Sequence, residues 1–90
     1  MIPHGVEIFV AVAPIDMRWS FDRLAGLVEG QLGRGARSRA LFMFFGKRRE
    51  TAKVMFADGT GLCMLYKRLD QGLFAPVEAL TDGATYVELD

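Results

Sequence analysis

Leu41-Phe42-Met43-Phe44-Phe45 is an unbroken apolar run, and it constrains the fold more than any other stretch of the chain. Successive side chains of a strand point to opposite faces, so a strand built from this run needs cover on both sides. Residues 62–69 repeat the demand, with Leu62, Met64 and Tyr66 on one face and Cys63 and Leu65 on the other. The chain has 90 residues, enough for one domain, 1–90, which buries only about 60–65% of the surface it exposes when unfolded. Cover is therefore scarce. One amphipathic helix shields one face of a sheet this size. The second face needs a partner, a second copy or a segment absent from this chain, unless sheet curvature and the last strands close it from within.

The remaining elements follow from punctuation. Residues 5–12 read as a strand, with Ile8, Val10 and Val12 alternating against Glu7 and Phe9. Pro14 ends it, and Asp16 suits the N-cap of a helix over 17–32. The buried stripe of that helix would be Met17, Phe21, Leu24, Val28 and Leu32. Arg18 stands one turn before Asp22 and can pair with it, and Gly33 and Gly35 stop the helix. Strands at 40–45, 52–57 and 62–69 form a meander through turns at 46–50 and 58–61. A weaker pair, 77–80 and 84–89 around Asp82-Gly83, closes the sheet. The expected class is α+β, one amphipathic helix packed on an antiparallel sheet of four to six strands.

Net charge is zero but unevenly spread. Between residues 34 and 53, seven bases (Arg34, Arg37, Arg39, Lys47, Arg48, Arg49, Lys53) face only Glu50, a balance of +6. From 70 to 90 there are five acids (Asp70, Glu78, Asp82, Glu88, Asp90) and no base, a balance of −5. Such a layout concerns partners more than fold. No apolar run approaches the roughly 18 residues of a membrane span, and residues 1–5 lack the basic start of a signal peptide. A cytoplasmic protein is expected, and the lone Cys63 agrees with a reducing compartment.

Enzyme chemistry lacks parts. The only histidine is His4 and the only cysteine is Cys63, set among Leu62, Met64 and Leu65, where a buried structural thiol is expected. No cluster of Cys, His and carboxylates has metal-ligand spacing. Gly59-Thr60-Gly61 lacks the lysine of a phosphate-binding loop. No catalytic residue and no cofactor are expected.

Binding is better supplied. Lys47-Arg48-Arg49 occupy a hairpin turn, with Lys53, Lys67 and Arg68 on adjoining strands, and such a ribbon can enter a DNA groove or track phosphates. A solvated turn or an acidic partner surface fits the same charges. Arg37 and Arg39, with Arg34, lie in a glycine-containing loop open to the same two readings. Trp19 projects opposite Met17, Phe21 and Leu24 if the helix begins at 17, which suits a protein interface; otherwise it folds back over the Pro14 loop.

Two stretches carry a family resemblance. Pro14-Ile15-Asp16-Met17-Arg18 with Phe21-Asp22 and Leu24-Ala25-Gly26-Leu27-Val28 is one. The other is Leu41-Phe42-Met43-Phe44, Lys47-Arg48-Arg49, Asp58-Gly59-Thr60-Gly61-Leu62-Cys63 and Tyr66-Lys67-Arg68-Leu69. Over roughly residues 2–74 the combination resembles the accessory TnpB proteins of the IS-sixty-six group of bacterial insertion sequences, which are unrelated to the RNA-guided nucleases of the same name. The resemblance implies a non-catalytic role in transposition beside a larger transposase. Either the protein binds element DNA through the basic hairpin, or it is an assembly factor that docks on the transposase or on itself as a homo-oligomer. The chain departs from the family pattern at Phe45, where a base is usual, and at Ala57, where an aromatic is usual. Relatives continue after Phe74 into a C-terminal helix, whereas this sequence stops at Asp90, which offers one candidate for the missing cover.

Overall fold

The structure, a computed structural model, describes residues 6–32, 39–75, 77–78 and 83–89. The chain runs β1 (Glu7–Ala11), α1 (Phe21–Leu32), β2 (Ala40–Phe45), β3 (Thr51–Ala57), β4 (Leu62–Arg68) and β5 (Tyr86–Leu89). The strands form one sheet in the order β4-β3-β2-β1-β5. Helix and strand count match the α+β expectation, but the sheet is mixed. β1 and β2 run parallel, Phe9 beside Phe42 and Val10 beside Met43. The reason is that α1 carries the chain back along the sheet before β2 begins, and a crossover of that kind joins parallel neighbours. The other pairs are antiparallel. Of the closing hairpin expected from 77–80 and 84–89, residues 79–82 lie outside the described residues; Val77 and Glu78 lie in no strand, and β5 pairs with β1.

The helix starts four residues later than expected. Asp16 does not cap it. Its carboxylate accepts the Arg18 amide at 2.9 Å and the Arg18 guanidinium at 2.6 Å, and the Trp19 amide donates to the Asp16 carbonyl, closing a turn over 16–19. An aspartate committed to its own local turn is not free for the first helical amides. Ser20 takes that position, its hydroxyl facing the Arg23 amide at 3.4 Å, while Asp22 sits favourably in the first turn. Arg18 therefore pairs with Asp16 and not with Asp22. Leu24 and Val28 form the buried stripe, whereas Phe21 at the helix start stays exposed. Gly33 and Gly35, expected to stop the helix, lie outside the described residues.

One sheet face packs against α1. Phe9, Ala11, Phe42, Phe44, Met55 and Tyr86 meet Leu24, Val28 and Ile15 there, with Phe9 stacked on Phe42 at 5.8 Å. The second face is covered in part. Val10, Phe45 and Ala52 are buried beneath Phe74 and Val77, the rings of Phe45 and Phe74 lying 5.2 Å apart. The Phe74 amide donates to the Arg49 carbonyl at 2.7 Å and fixes this return of the chain. Cover from within thus reaches β1, β2 and the start of β3. Exposure then rises along one row, Val10, Met43, Val54, Leu65, reaching 56% at Leu65 on the edge strand β4.

Candidate nucleic-acid interface

An open cleft of about 1180 Å³ lies where the residue 14–18 loop, the β2–β3 turn and the end of β4 converge. Ile15 builds its first wall. The Ile15 side chain is buried, its amide donates to the Phe45 carbonyl at 2.9 Å, and it bridges Gly46 in parallel, so the loop lies against the hairpin. Gly46 and Thr51 form the floor, and a Cβ on Gly46 would stand 2.5 Å from Thr51 Oγ1 and 3.0 Å from Met17 Cγ. Only glycine leaves room for that approach. Tyr66 and Arg68 supply the far wall. They share a face because strand side chains alternate, as the pairs Thr51↔Arg68 and Lys53↔Tyr66 require.

Four cations line this cleft: Arg18, Lys47, Arg48 and Arg68, against the carboxylates Asp16 and Glu50. Arg18 is held by Asp16, whose carboxyl is kept well below the usual range chiefly by the hydrogen bond from that guanidinium. Arg48 lies 3.9 Å from Glu50. Lys47 and Arg68 have no acidic partner among the described residues. The cleft thus carries a surplus of two positive charges, and both belong to open side chains.

The remaining expected cations lie elsewhere. Lys53 is only 8% exposed, and its ammonium donates to the Trp19 carbonyl at 3.1 Å and sits 5.4 Å from the Tyr66 ring centroid. It shares parity with Met55, which faces the helix, so its stem passes into the core and leaves no ammonium for a phosphate. Arg49 takes a left-handed backbone (φ 59°), lays its guanidinium 5.7 Å from the Phe45 ring, and buries Nη1. That reversal sends it to the sheet face opposite the helix. Lys67, beside Ala52, faces the same way and is exposed. Arg39 is exposed at the start of β2, one six-residue strand from the turn, a distance of about 20 Å. Arg37 lies outside the described residues.

Trp19 precedes the helix instead of projecting from it. It is half-buried against the main core, with the Arg23 guanidinium 4.0 Å above its ring. Cys63 is half-buried, less enclosed than expected. Partial burial and the neighbouring Asp58 carboxylate push its thiol up, which disfavours the reactive thiolate. Asp58 itself accepts the Thr60 amide, the Thr60 hydroxyl and the Gly61 amide, and these hold its carboxyl low. Among the described residues no group of three metal-ligating side chains converges, and no helix is long and apolar enough to cross a membrane.

Sequence reasoning missed Arg18 and Tyr66. The period of two in Tyr66-Lys67-Arg68 was the available signal for Tyr66, since it separates Tyr66 and Arg68 from Lys67. Nothing local announced Arg18, which reaches the cleft through the Ile15–Gly46 bridge.

The fold is thus a small mixed sheet with one covering helix and an open cationic cleft. Residues 6–90 match the family described as IS66 Orf2 like protein, and the chain belongs to that family of insertion-sequence accessory proteins. It is similar to the uncharacterized protein y4hO of Sinorhizobium fredii, 38% identical over 76 residues, covering 82% of this chain and 66% of that one. It is also similar to the uncharacterized protein y4jC of the same organism, 32% identical over 86 residues, covering 93% of this chain and 71% of that one. The chain spans about two thirds of the length of these curated relatives. No solved structure matches it.

Proposed function

We propose that the protein serves transposition by non-catalytic binding, contacting element DNA through the cleft. The observation that carries this reading is the convergence of Arg18, Lys47, Arg48 and Arg68 from three separate segments onto one concave surface. Phosphate contacts supply most of the affinity of such a surface and none of its sequence preference. Of these four, Lys47 and Arg68 have no acidic partner among the described residues, so about two phosphates are neutralised. The logarithm of duplex affinity then falls with the logarithm of salt at a slope of about −1.8. Measured at low salt, the double variant Lys47→Ala/Arg68→Ala loses most of that slope. Unchanged binding in the double variant, or no binding by the parent protein, overturns the reading.

A second reading, assembly on the transposase or with another copy, draws on the other sheet face. There Val54 and Leu65 lie beyond the reach of Phe74 and Val77, next to the unpaired edge of β4. Trp19 belongs to this reading only through the part of its surface left open. Sedimentation at micromolar concentration tests it: a Leu65→Lys variant that sediments like the parent, as a monomer with or without transposase, counts against it.

A further inference from the structure

We infer that the nucleic acid taken by the cleft is single-stranded, with one unstacked base lying on Tyr66. The inference rests on the reading of the cleft as a nucleic-acid site and specifies its ligand. Tyr66 is 50% exposed and lines the cleft together with Arg68, Lys47 and Arg18. The Lys53 ammonium lies 5.4 Å from its ring centroid and is itself anchored to the Trp19 carbonyl, so the phenol is held from within while its open part faces the cleft. A half-exposed aromatic ring flanked by cations is the arrangement that stacks a base and holds the phosphates on either side of it. A duplex cannot use it, because paired bases hide their faces in the stack and present only their edges.

The charge count points the same way. Non-specific duplex binding draws essentially all of its affinity from phosphate neutralisation, whereas this cleft has four cations, two of them already paired with acids. Nor does the β2–β3 turn project as a groove-reading ribbon: Gly46 is buried under Met17, and Arg49 folds back over Phe45. With few phosphate contacts available, stacking is the contribution that decides the ligand. Loss of one stacked base costs about 5- to 150-fold in affinity, the equivalent of 1–3 kcal/mol.

The test is fluorescence anisotropy at low salt with three labelled probes: a twelve-nucleotide oligo-dT, a twelve-nucleotide oligo-rU and a twelve-base-pair duplex. The full chain is compared with Tyr66→Phe, Tyr66→Ala and Lys47→Ala/Arg68→Ala, each checked for parental circular dichroism. The expected result is tighter binding of a single strand than of the duplex, with the dT and rU arms identifying the preferred sugar. Tyr66→Phe keeps single-strand affinity, Tyr66→Ala loses at least about fivefold of it, and duplex binding is indifferent to both. The double variant weakens all three probes. Tighter binding of duplex, or a Tyr66→Ala protein that binds oligo-dT and oligo-rU like the parent, overturns this inference and leaves the cleft as a duplex site. Failure of every probe to bind the parent protein overturns the nucleic-acid reading with it.

Discussion

The ammonium of Lys53 donates to the carbonyl of Trp19 at 3.1 Å, joining β3 to the turn that precedes the helix. Thirty-four positions separate the two residues. The bond explains why a lysine occupies the buried face of a strand: its stem adds apolar cover, and its charge meets a carbonyl.

Lys53→Met keeps the stem and removes the charge. The half-buried Trp19 carbonyl then loses its partner, and the variant loses about 1 kcal/mol in urea denaturation. Its nucleic-acid salt slope equals that of the parent, because the ammonium never reached a phosphate. A slope reduced by about one unit would show Lys53 in the interface and not in the core.

Gly46→Ala tests the floor of the cleft. The new Cβ meets Thr51 Oγ1 at 2.5 Å and Met17 Cγ at 3.0 Å. Met17 can yield by changing rotamer, but Thr51 sits in the strand opposite. The expected loss is about 1–3 kcal/mol, read as a lower denaturation midpoint with an unchanged m-value. A variant as stable as the parent would mean that the floor is looser than these distances imply.

Acid sensitivity follows from Asp16. Its folded-state value is depressed by Arg18, so its contribution to stability is complete above the ordinary aspartate value of about 3.9 and declines as pH falls below it. Asp16→Asn removes that dependence. Thermal midpoints compared at pH 6 and pH 3 should therefore converge between parent and variant at the acid end. Parallel losses in both proteins would contradict the pairing.

Burial pushes the Tyr86 phenol up to about 12, and its hydroxyl has no hydrogen-bond partner among the described residues. A raised folded-state value leaves stability intact below the unfolded value of about 10 and removes it as pH climbs from there towards 12. Tyr86→Phe eliminates an unpaired buried hydroxyl, so it equals or exceeds the parent in stability at pH 7. It also resists the alkaline loss. Urea titrations at pH 8 and pH 11 decide this, and an alkaline decline shared by both proteins would refute it.

Local structure was the legible part of the chain. The β3–β4 hairpin, with Asp58 closing its turn and Gly59 supplying a positive φ of 93°, lies where alternation and turn chemistry place it. The helix start was obscured because Asp16 and Ser20 are both good caps, and only the Arg18 guanidinium decides which is free. Arg49 was unreadable for another reason: its left-handed backbone is imposed by the reversal between Gly46 and Thr51, not by its own preference. The pairing of β5 with β1 joins segments separated by the helix and three strands, which no local window contains. Of the candidate site, the turn cations were visible as a group. Their division between two sheet faces required knowing which way each strand presents its residues.

The β1–β5 pair has a further consequence for how the chain assembles. Strands β2, β3 and β4 are neighbours in sequence and in space, joined by short turns. They can zip together early, since closing short loops sacrifices little chain entropy. Ile8 meets Leu89 only across the helix and all three of those strands, so that closure comes late. On a translating ribosome, β1 emerges before β5 and must wait for it before its free edge is taken. Through that interval its backbone groups stay open to any other strand that finds them first.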